Sequence, residues 1–500
     1  MVKKKTAIVI GSGFAGLSVA SFMAKAGWDV TVIEKHDQPG GRARRMVVNG
    51  FNFDMGPSWY WMPDVFERFF NQFGKTTSDY YELERLDPGY RVYWPEDIWD
   101  IPADYNALKN LFEKYESGAG KQLDKVMEEA AYKYKTGIQK LVFKPGQSIL
   151  EFADADLIKG LFKLDVFTSV KKHFRRHFTH PMILQLLEFP VLFLGALAEN
   201  TPALYSLMNY ADIKGGTWFP KGGMYKIVEA MYSVAQEQGV KFLFRHDAQC
   251  ISVNSSKASS VTCTDKDGTE ITLQADTIIS NADYHFTETK LIPEKYRSYT
   301  SDYWAKRVMA PGCLLYYVGI NRKLPGVQHH SLFFDVPFEP HAKDIYENPS
   351  WPANPLFYVS VTSVTDPSQA PEGCENLFFL IPVAAGLEGD VESLRDHYFK
   401  NILERFEKRI GHDVRDHIIY YKSFAGSDFV KEYNAFKGNA YGLANTLLQT
   451  AILKPSCRSK KIKNLFYTGQ LTVPGPGVPP SLISGEVVAK EVEKYFAKGG

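Results

Sequence analysis

The sequence predicts an α/β fold, in which a Rossmann-like dinucleotide-binding domain is interleaved with a second domain of mixed sheet and helices. Two observations carry this prediction. A βαβ pattern with GxGxxG opens the chain, and strand-like segments far along the chain end in loops rich in glycine. The 500 residues, 45% of them hydrophobic, are enough for two or three domains with a sizeable core.

The βαβ unit is the strongest local pattern. A short strand at Thr6–Ile10 leads into Gly11–Gly16, then into a helix predicted from Leu17 to Ala26 and a second strand at Val30–Ile33. The first glycine makes the tight turn, the second lets a pyrophosphate approach the backbone, and the third lets helix and strand pack closely. The helix N-terminus attracts an anion, and an acid after the second strand can bind a ribose. The residues predicted to contact the dinucleotide are Gly11, Gly13, Phe14, Ala15, Gly16, Glu34 and Lys35.

Three further segments favour FAD over a nicotinamide cofactor. The loop Pro39–Ala43 follows the ribose acid, where its amides and an arginine can meet the pyrophosphate or flavin side, and Phe53–Ser58 is a second tight segment. Near the C-terminus, the strand Asn464–Tyr467 runs into a glycine-rich loop and a helix predicted from Pro480 to Phe496, whose N-terminus can face the flavin pyrimidine ring. These segments add Gly41, Arg42, Ala43, Gly56, Pro57, Ser58, Gly469, Gln470, Gly477, Val478 and Pro479 to the predicted FAD contacts.

Together these segments resemble the FAD-dependent carotenoid desaturases of the bacterial phytoene desaturase type. Thr217–Met224, Ser280–Asp283 and Asp428–Gly438 resemble further segments of that family, so the resemblance covers nearly the whole chain. It implies an oxidoreductase that removes hydride and proton from an acyclic C40 polyene, with phytoene to lycopene as the leading assignment. Three alternatives stay open: desaturation of a later or hydroxylated carotenoid such as 3,4-desaturation, carotenoid isomerisation, and a non-enzymatic role like that of the GDP-dissociation inhibitors.

The order of the segments predicts interleaved domains. Residues 1–75, 215–290 and 455–500 are expected to form a discontinuous FAD-binding domain, because Asp276–Ser280 looks like a strand that re-enters the parallel sheet. Residues 76–214 and 291–454 are expected to form the substrate domain. Within it, the uncharged decamer Phe189–Ala198 is too short to span a bilayer, and it suits a buried helix or a lip facing lipid.

Charge and composition limit the partners. The formal charge of 58 − 57 = +1 argues against nucleic acid, which requires a basic excess. The uncharged stretch Asn464–Gly485 contains four prolines and several glycines, so it is not expected to cross a bilayer. The basic, amphipathic stretch Lys163–Phe178 suits either a solvated helix face or an anionic membrane surface. Five scattered cysteines fit a reducing compartment, so the prediction is a cytoplasmic protein associated peripherally with the membrane, with an apolar carotenoid as substrate.

Catalytic side chains are predicted only through the resemblance. In its position along the chain, Glu151 corresponds approximately to an acidic residue that has been proposed to act in that family's chemistry. Arg307 corresponds approximately to an arginine that has been proposed to lie close to the flavin. An arginine that often follows the family's acid is absent here, where Asp154 stands instead. No metal site is predicted, because the pair His173 and His177 has lysine and arginine neighbours that repel a cation.

Overall fold

The computed structural model describes residues 4–152, 165 and 168–499. Its strands, numbered along the chain, are β1 Thr6–Ile10, β2 Asp29–Glu34, β3 Arg45–Val48, β4 Phe51–Asp54, β5 Leu83–Arg85, β6 Tyr90–Tyr93, β7 Ile98–Ile101, β8 Trp218–Pro220, β9 Lys241–Phe244, β10 Asp247–Asn254, β11 Lys257–Thr264, β12 Glu270–Gln274, β13 Thr277–Ser280, β14 Gly312–Ile320, β15 His330–Phe333, β16 Phe357–Ser360, β17 Glu375–Val383, β18 Ile418–Phe424 and β19 Leu465–Tyr467.

The α-helices of the described residues are numbered in the same way. They are α1 Phe14–Lys25, α2 Pro63–Asn71, α3 Tyr105–Tyr115, α4 Ala119–Thr136, α5 Val170–Phe174, α6 Pro181–Glu188, α7 Leu207–Ile213, α8 Tyr225–Glu237, α9 Tyr284–Phe286, α10 Ser301–Ala305, α11 Phe338–Tyr346, α12 Glu392–Ile410, α13 Gly426–Tyr433 and α14 Val478–Ala497. Among these, no helix combines the length with the hydropathy that crossing a bilayer requires.

A five-stranded parallel sheet carries the N-terminal motif. Its strand order is β19-β13-β1-β2-β9, so segments from the beginning, middle and end of the chain lie side by side. The predicted α/β fold with a parallel sheet is therefore confirmed. β1 pairs with β2 on one side and with β13 on the other, which brings Ile10 opposite both Ile33 and Ser280. The loops that follow these strands consequently emerge at one edge of the sheet.

Helices α1 and α14 pack against each other through small residues. Ser18 Oγ donates a 2.7 Å hydrogen bond to the Leu482 carbonyl, and both residues are fully buried. Gly485 lies opposite Ser18, and a Cβ placed on it would be only 2.5 Å from the Ser18 Cβ. The glycine is therefore required because the two helices approach too closely for any side chain at that point.

A second sheet has seven strands and shares none of them with the parallel sheet. Its order is β18-β14-β17-β16-β15-β6-β7, and its pairs are antiparallel except for β6 with β15. Helix α12 covers one face, where Phe399 and Phe406 pack against Phe379 of β17. All of these strands come from the two segments that were predicted to form the substrate domain.

The helical segment between residues 102 and 214 is only partly described. Asp154 and residues 163, 164, 166 and 167 of the predicted basic stretch lie outside the described residues. In the part that is described, helix α5 has five residues, and His173 and Phe174 are buried. Lys172, Arg175 and Arg176 are exposed, so the basic side of the predicted stretch faces solvent.

Candidate functional site

The glycines of the first loop lie in a cradle with little spare room. Gly11 has a φ of +92°, and its amide donates to the Ile33 carbonyl at 2.8 Å, which ties the turn to the neighbouring strand. A Cβ on Gly16 would lie 2.1 Å from the Gly11 carbonyl oxygen, while one on Gly13 would lie 3.1 Å from Asn281 Nδ2. The predicted strand and helix are confirmed, with α1 beginning at Phe14. The first-turn amides of α1 thus stand at the end of β1, as an anionic phosphate requires.

The carboxylate of Glu34 faces this same loop. Glu34 is 5% exposed, and its Oε2 accepts hydrogen bonds of 2.8 Å from both the amide and the hydroxyl of Ser12. Its Oε1 accepts from the His36 amide at 2.9 Å. Because a carboxylate has about four acceptor positions, one remains for a ribose hydroxyl. Ser12, which fixes the carboxylate, was not singled out from the sequence, since a serine between two glycines carries no distinctive pattern.

The Pro39–Ala43 loop closes over the first glycine turn. The Gly40 amide donates to the Ser12 carbonyl at 2.9 Å, and a Cβ on Gly41 would lie 3.3 Å from the Gly13 Cα. Arg42 Nε is buried and has no hydrogen-bond partner among the described residues. Burial lowers the pKa of Arg42, and the nearby Asp283 opposes that shift. A guanidinium with a buried, unbonded Nε beside helix-terminal amides fits an anionic cofactor such as FAD.

The Phe53–Ser58 segment packs directly on this arginine loop. A Cβ on Gly56 would be 2.3 Å from the Arg42 carbonyl oxygen, and Ser58 Oγ donates to the Gly56 carbonyl at 3.3 Å. At the end of β4, Asp54 accepts 2.7 and 2.9 Å hydrogen bonds from the amides that begin α8, those of Met224 and Tyr225. Burial raises the pKa of Asp54 to about 6. The segment therefore anchors the arginine loop to a helix N-terminus.

The C-terminal loop approaches from the other side of the sheet. The Gly469 amide donates to Ser484 Oγ at 3.0 Å, which attaches the end of β19 to α14. Gly477 has a φ of +110° and precedes α14, which begins at Val478, two residues earlier than predicted. Pro479 and Pro480 have no N–H, so Val478 and the glycine before it provide the free amides of this helix end. Such an end favours the negative charge of a reduced flavin.

An apolar cavity of about 70 Å³ lies beside these loops. Its lining includes Phe189, Pro311, Leu332, Phe334, Tyr358 and Tyr441. The Tyr441 side chain hydrogen-bonds with the Cys313 thiol. Burial raises the pKa of this thiol to about 12, and the nearby positive charge of Arg42 opposes that rise. The cavity therefore adjoins the arginine loop through Tyr441 and Cys313.

Two polar groups at the cavity wall are already satisfied within the protein. His341 Nε2 donates to the Pro382 carbonyl at 2.7 Å, and its Nδ1 accepts from the Leu356 amide at 2.9 Å. Burial lowers the pKa of His341 to about 4, so the ring is neutral near pH 7. Tyr358 Oη pairs with His330 Nδ1 at 2.6 Å. The apolar character of this cavity suits a hydrocarbon, which is recognised by shape and apolar area.

Glu151 lies in the short 3-10 helix Ile149–Phe152 and Arg307 in a loop, and neither is among the residues that line this cavity. Glu151 accepts hydrogen bonds of 2.8, 3.1 and 3.2 Å from three successive amides of its own loop, those of residues 146–148. The Arg307 guanidinium stacks 4.3 Å from the Tyr303 ring centre, and its Nε is buried without a hydrogen-bond partner. The observed contacts assign each a role in holding its loop, and their catalytic roles remain proposals.

Among the described residues, one cluster has the composition of a metal site. Single ligand atoms of Glu129, His173 and His177 lie within 4.8 Å of one another. Burial lowers the pKa of His173 to about 3, and the positive charge of the nearby Lys133 adds to this effect. Lys133 Nζ itself lies 3.1 Å from Asp165. A cationic lysine beside the imidazole opposes a metal ion, and the predicted absence of a metal stays a prediction.

A residue that the sequence did not indicate lies against the C-terminal loop at Gly475. Lys454 is 5% exposed, and its Nζ donates to Asn445 Oδ1 at 2.8 Å. Burial lowers the pKa of Lys454 to about 7. A lysine in the segment Ala451–Pro455 has no motif around it, so only its burial in the folded chain marks it out.

The comparisons with known proteins agree with this geometry. Residues 14–492 match the flavin containing amine oxidoreductase family. A carotenoid 3,4-desaturase from Haloarcula japonica is 40% identical over 491 residues, which cover 98% of each chain. A zeta-carotene-forming phytoene desaturase from Myxococcus xanthus is 30% identical, over 97% of this chain and 93% of the relative. The crystal structure of an oxidoreductase from Methanosarcina mazei has the same fold, with a TM-score of 0.63 and 16% identity over 97% of this chain and 100% of that chain.

The extent of these matches exceeds what a shared Rossmann motif alone produces, because they run through both sheets. The predicted family, the predicted FAD cofactor and the predicted oxidoreductase activity are thereby confirmed. The chain belongs to the flavin-containing amine oxidoreductases and, within them, to the carotenoid desaturases, and it is an FAD-dependent oxidoreductase.

Proposed function

We propose that this protein is a carotenoid 3,4-desaturase, which introduces a double bond near the end of an acyclic carotenoid. The observation that carries the proposal is the 40% identity with the Haloarcula japonica carotenoid 3,4-desaturase along 98% of both chains. The apolar cavity beside the arginine loop supports it, since a hydrocarbon chain end fits among Phe189, Leu332 and Phe334. This assignment differs from the phytoene conversion that led the sequence-based expectations.

Four groups of this chain would bind and orient FAD. Glu34 would accept hydrogen bonds from the adenosine ribose, and the first-turn amides of α1 would hold the pyrophosphate. Arg42 would neutralise the negative charge of the cofactor, and the Val478 amide at the start of α14 would stabilise negative charge on the flavin. FAD, when bound, supplies the acceptor for a hydride. The remaining task of the protein is to hold the polyene in a dry cavity and to take up a proton.

Desaturation of phytoene is the second candidate. The Myxococcus xanthus relative is named as a phytoene desaturase and is 30% identical over 97% of this chain. The two reactions share cofactor and chemistry and differ in which part of the polyene meets the flavin. Residues that hold FAD therefore do not discriminate between them, and the choice rests on the cavity and on the substrate supplied.

A substrate panel tests the proposal. FAD-loaded enzyme is incubated with phytoene, with lycopene and with a hydroxylated acyclic carotene, and the products are separated and identified by their absorption spectra. We expect conversion of lycopene or the hydroxylated carotene to a product with a longer chromophore, and no conversion of phytoene. Conversion of phytoene alone would refute the 3,4-desaturase assignment. An altered geometric isomer with no added double bond would identify an isomerase instead.

We also propose that the protein docks on a bilayer through one exposed apolar patch. The patch consists of Leu150, Val308, Leu448, Ile452 and Leu453, of which Leu448 and Leu150 are 78% and 77% exposed. The Val308 backbone bonds at both its N–H and its C=O to the Gln449 side chain. A Cβ on Gly146 would lie 3.0 Å from the Ala451 carbonyl oxygen, so the Leu150 loop adjoins the same turn.

The position and surroundings of this patch favour lipid as its partner. Two chain segments connect the patch to the cavity. One runs from Val308 of the patch to Pro311 in the cavity wall, and the other runs from Tyr441 in the cavity wall to Leu448 of the patch. An exposed basic side chain, Lys306, stands two residues before Val308 of the patch. Exposed leucines next to a basic side chain can enter the acyl boundary while the charge meets anionic headgroups.

Vesicle binding tests the patch. We expect the double variant Leu448→Asp/Leu453→Asp to lose co-sedimentation with anionic phospholipid vesicles and to keep turnover of carotenoid supplied in detergent. Val47→Asp, at a site that is 60% exposed on β3, is the matched control and should sediment like the wild type. Equal binding of the double variant and the control would rule out the patch.

A further inference from the structure

Lys454 is a buried amine that lacks an opposing carboxylate among the described residues. Its Nζ makes a 2.8 Å hydrogen bond to Asn445 Oδ1, and Asn445 is itself 5% exposed. No salt bridge involves this lysine in the part of the chain that the structure describes. A buried ammonium without a counter-charge is costly, whereas a neutral amine is tolerated.

The amine lies against the loop that leads into α14. A Cβ placed on Gly475 would be 3.0 Å from Lys454 Nζ and 3.1 Å from Asn445 Oδ1, so the loop backbone rests on this pair. The next residue, Pro455, accepts a 2.7 Å hydrogen bond from Thr472 Oγ1 of the same loop. The lysine is therefore held in place at two points along the loop that we propose to hold the flavin.

The segment that carries Asn445 also contributes to the wall of the apolar cavity through Tyr441. Asn445 belongs to the segment that begins at Tyr441, which lines the cavity. Within that segment, a Cβ on Gly442 would lie 2.8 Å from the Gln470 carbonyl oxygen, so the segment packs on the C-terminal loop. Lys454 consequently lies between the segment that carries Asn445 and the loop that we propose to hold the flavin.

The proposed reaction requires a proton acceptor. Desaturation breaks two C–H bonds on adjacent carbons: one hydrogen leaves as hydride to FAD, and the electron pair of the second bond becomes the new double bond. The second hydrogen leaves as a proton, and a hydrocarbon substrate offers no group of its own to receive it. A base held near neutrality accelerates such a step by about 10²–10⁴-fold.

We propose that Lys454 is this proton acceptor, an inference that rests on the desaturase function proposed above. The neutral amine donates one N–H to Asn445, keeps its lone pair free, and becomes an ammonium when it takes the proton. Burial lowers the pKa of Lys454 to about 7, and no charged group contributes to that shift, since Asn445 and the loop around Gly475 are its uncharged neighbours. The amine is therefore ready to accept a proton near pH 7.

Two variants test the role. Lys454→Arg carries a permanent charge and Lys454→Met has no basic atom, and we expect both to keep FAD and lose turnover by at least about 100-fold. The control Lys461→Met changes an exposed lysine in the same part of the chain and should behave like the wild type. Full turnover in either Lys454 variant would overturn the proposal. Inactivity of the wild type on every carotenoid would instead overturn the proposed function.

The pH profile and a spectroscopic titration separate a chemical role from a structural one. In Asn445→Asp, a carboxylate beside the amine favours its protonated form, so we expect the acid limb of kcat/KM to move to higher pH. In the wild type, the dimethyl-lysine ¹³C signal of Lys454, identified by its absence in Lys454→Arg, should titrate near pH 7 with or without FAD. An acid limb that stays in place in Asn445→Asp, or a signal that titrates near pH 10, would contradict the proposal.

Discussion

The contact between α1 and α14 makes Gly485→Ala an informative change. A Cβ at this position would lie 2.5 Å from the Ser18 Cβ and 2.6 Å from both Ser18 Oγ and the Val19 amide nitrogen. The last of these is backbone inside a buried helix, and it cannot move aside as a flexible side chain can. The two helices must therefore separate to admit one methyl group.

The magnitude follows from three opposing contributions. Alanine is favoured over glycine inside a helix by about 1 kcal/mol. Overpacking of a tight interface costs about 1–3 kcal/mol, and separation also weakens the buried hydrogen bond from Ser18 to the Leu482 carbonyl, worth about 1 kcal/mol. The net expectation is a loss of about 1–3 kcal/mol in the free energy of unfolding.

Urea denaturation of the FAD-free protein measures this loss. Gly426→Ala is the matched control, because Gly426 begins α13 with ordinary φ and has no atom within 4 Å of an added Cβ. We expect the control to match the wild type within about 1 kcal/mol. The Gly485 variant should also bind FAD more weakly, since the starts of both helices shift. Equal stability and equal FAD affinity in the two variants would refute the packing argument.

Two further predictions concern the cofactor and pH. In Gly13→Val, methyl groups extend beyond a Cβ that would already lie 3.1 Å from Asn281 Nδ2, and Glu34→Ala removes the proposed acceptor for the ribose hydroxyls. Each variant should weaken FAD binding by about 10–100-fold, as measured by equilibrium titration. Wild-type affinity in both variants would disprove the proposed site. Burial raises the pKa of Asp212, which accepts from Tyr90 Oη at 2.9 Å, to about 7. Because the pKa of Asp212 is higher in the folded state than in the unfolded state, the free energy of unfolding of the wild type should fall relative to that of Asp212→Asn as the pH rises from 4 to 7. The fall should be at most roughly 4 kcal/mol. A difference between the two proteins that does not change with pH would disprove this prediction.

The parts of the fold that local pattern controls were predictable. The unit of β1, α1 and β2, the return of the chain into the sheet at β13, and the final strand and helix follow from hydrophobic runs with glycines at their ends. The ends of α1 and α14 differ from expectation by a few residues, because capping depends on backbone geometry rather than on pattern.

Long-range features were beyond the reach of the sequence. The seven-stranded sheet pairs β6 with β15, whose residues are more than 200 positions apart, and neither strand carries a sign of its partner. The same holds for the candidate site. Motifs indicated the loops that we propose to hold FAD, whereas the cavity beside them and the burial of Lys454 depend on which distant side chains pack together. Glu151 and Arg307 came from resemblance alone, and their loop contacts could not be foreseen.

The strand order of the parallel sheet has a consequence for biosynthesis. β19 and the start of α14 complete the proposed cofactor cradle, yet they follow the glycine turn after β1 by more than 450 residues. Until they have been translated, the nascent sheet lacks its β19 edge and the loop that follows it. FAD therefore cannot be fully enclosed before this segment has left the ribosome, and chains released before it is made lack a complete binding site.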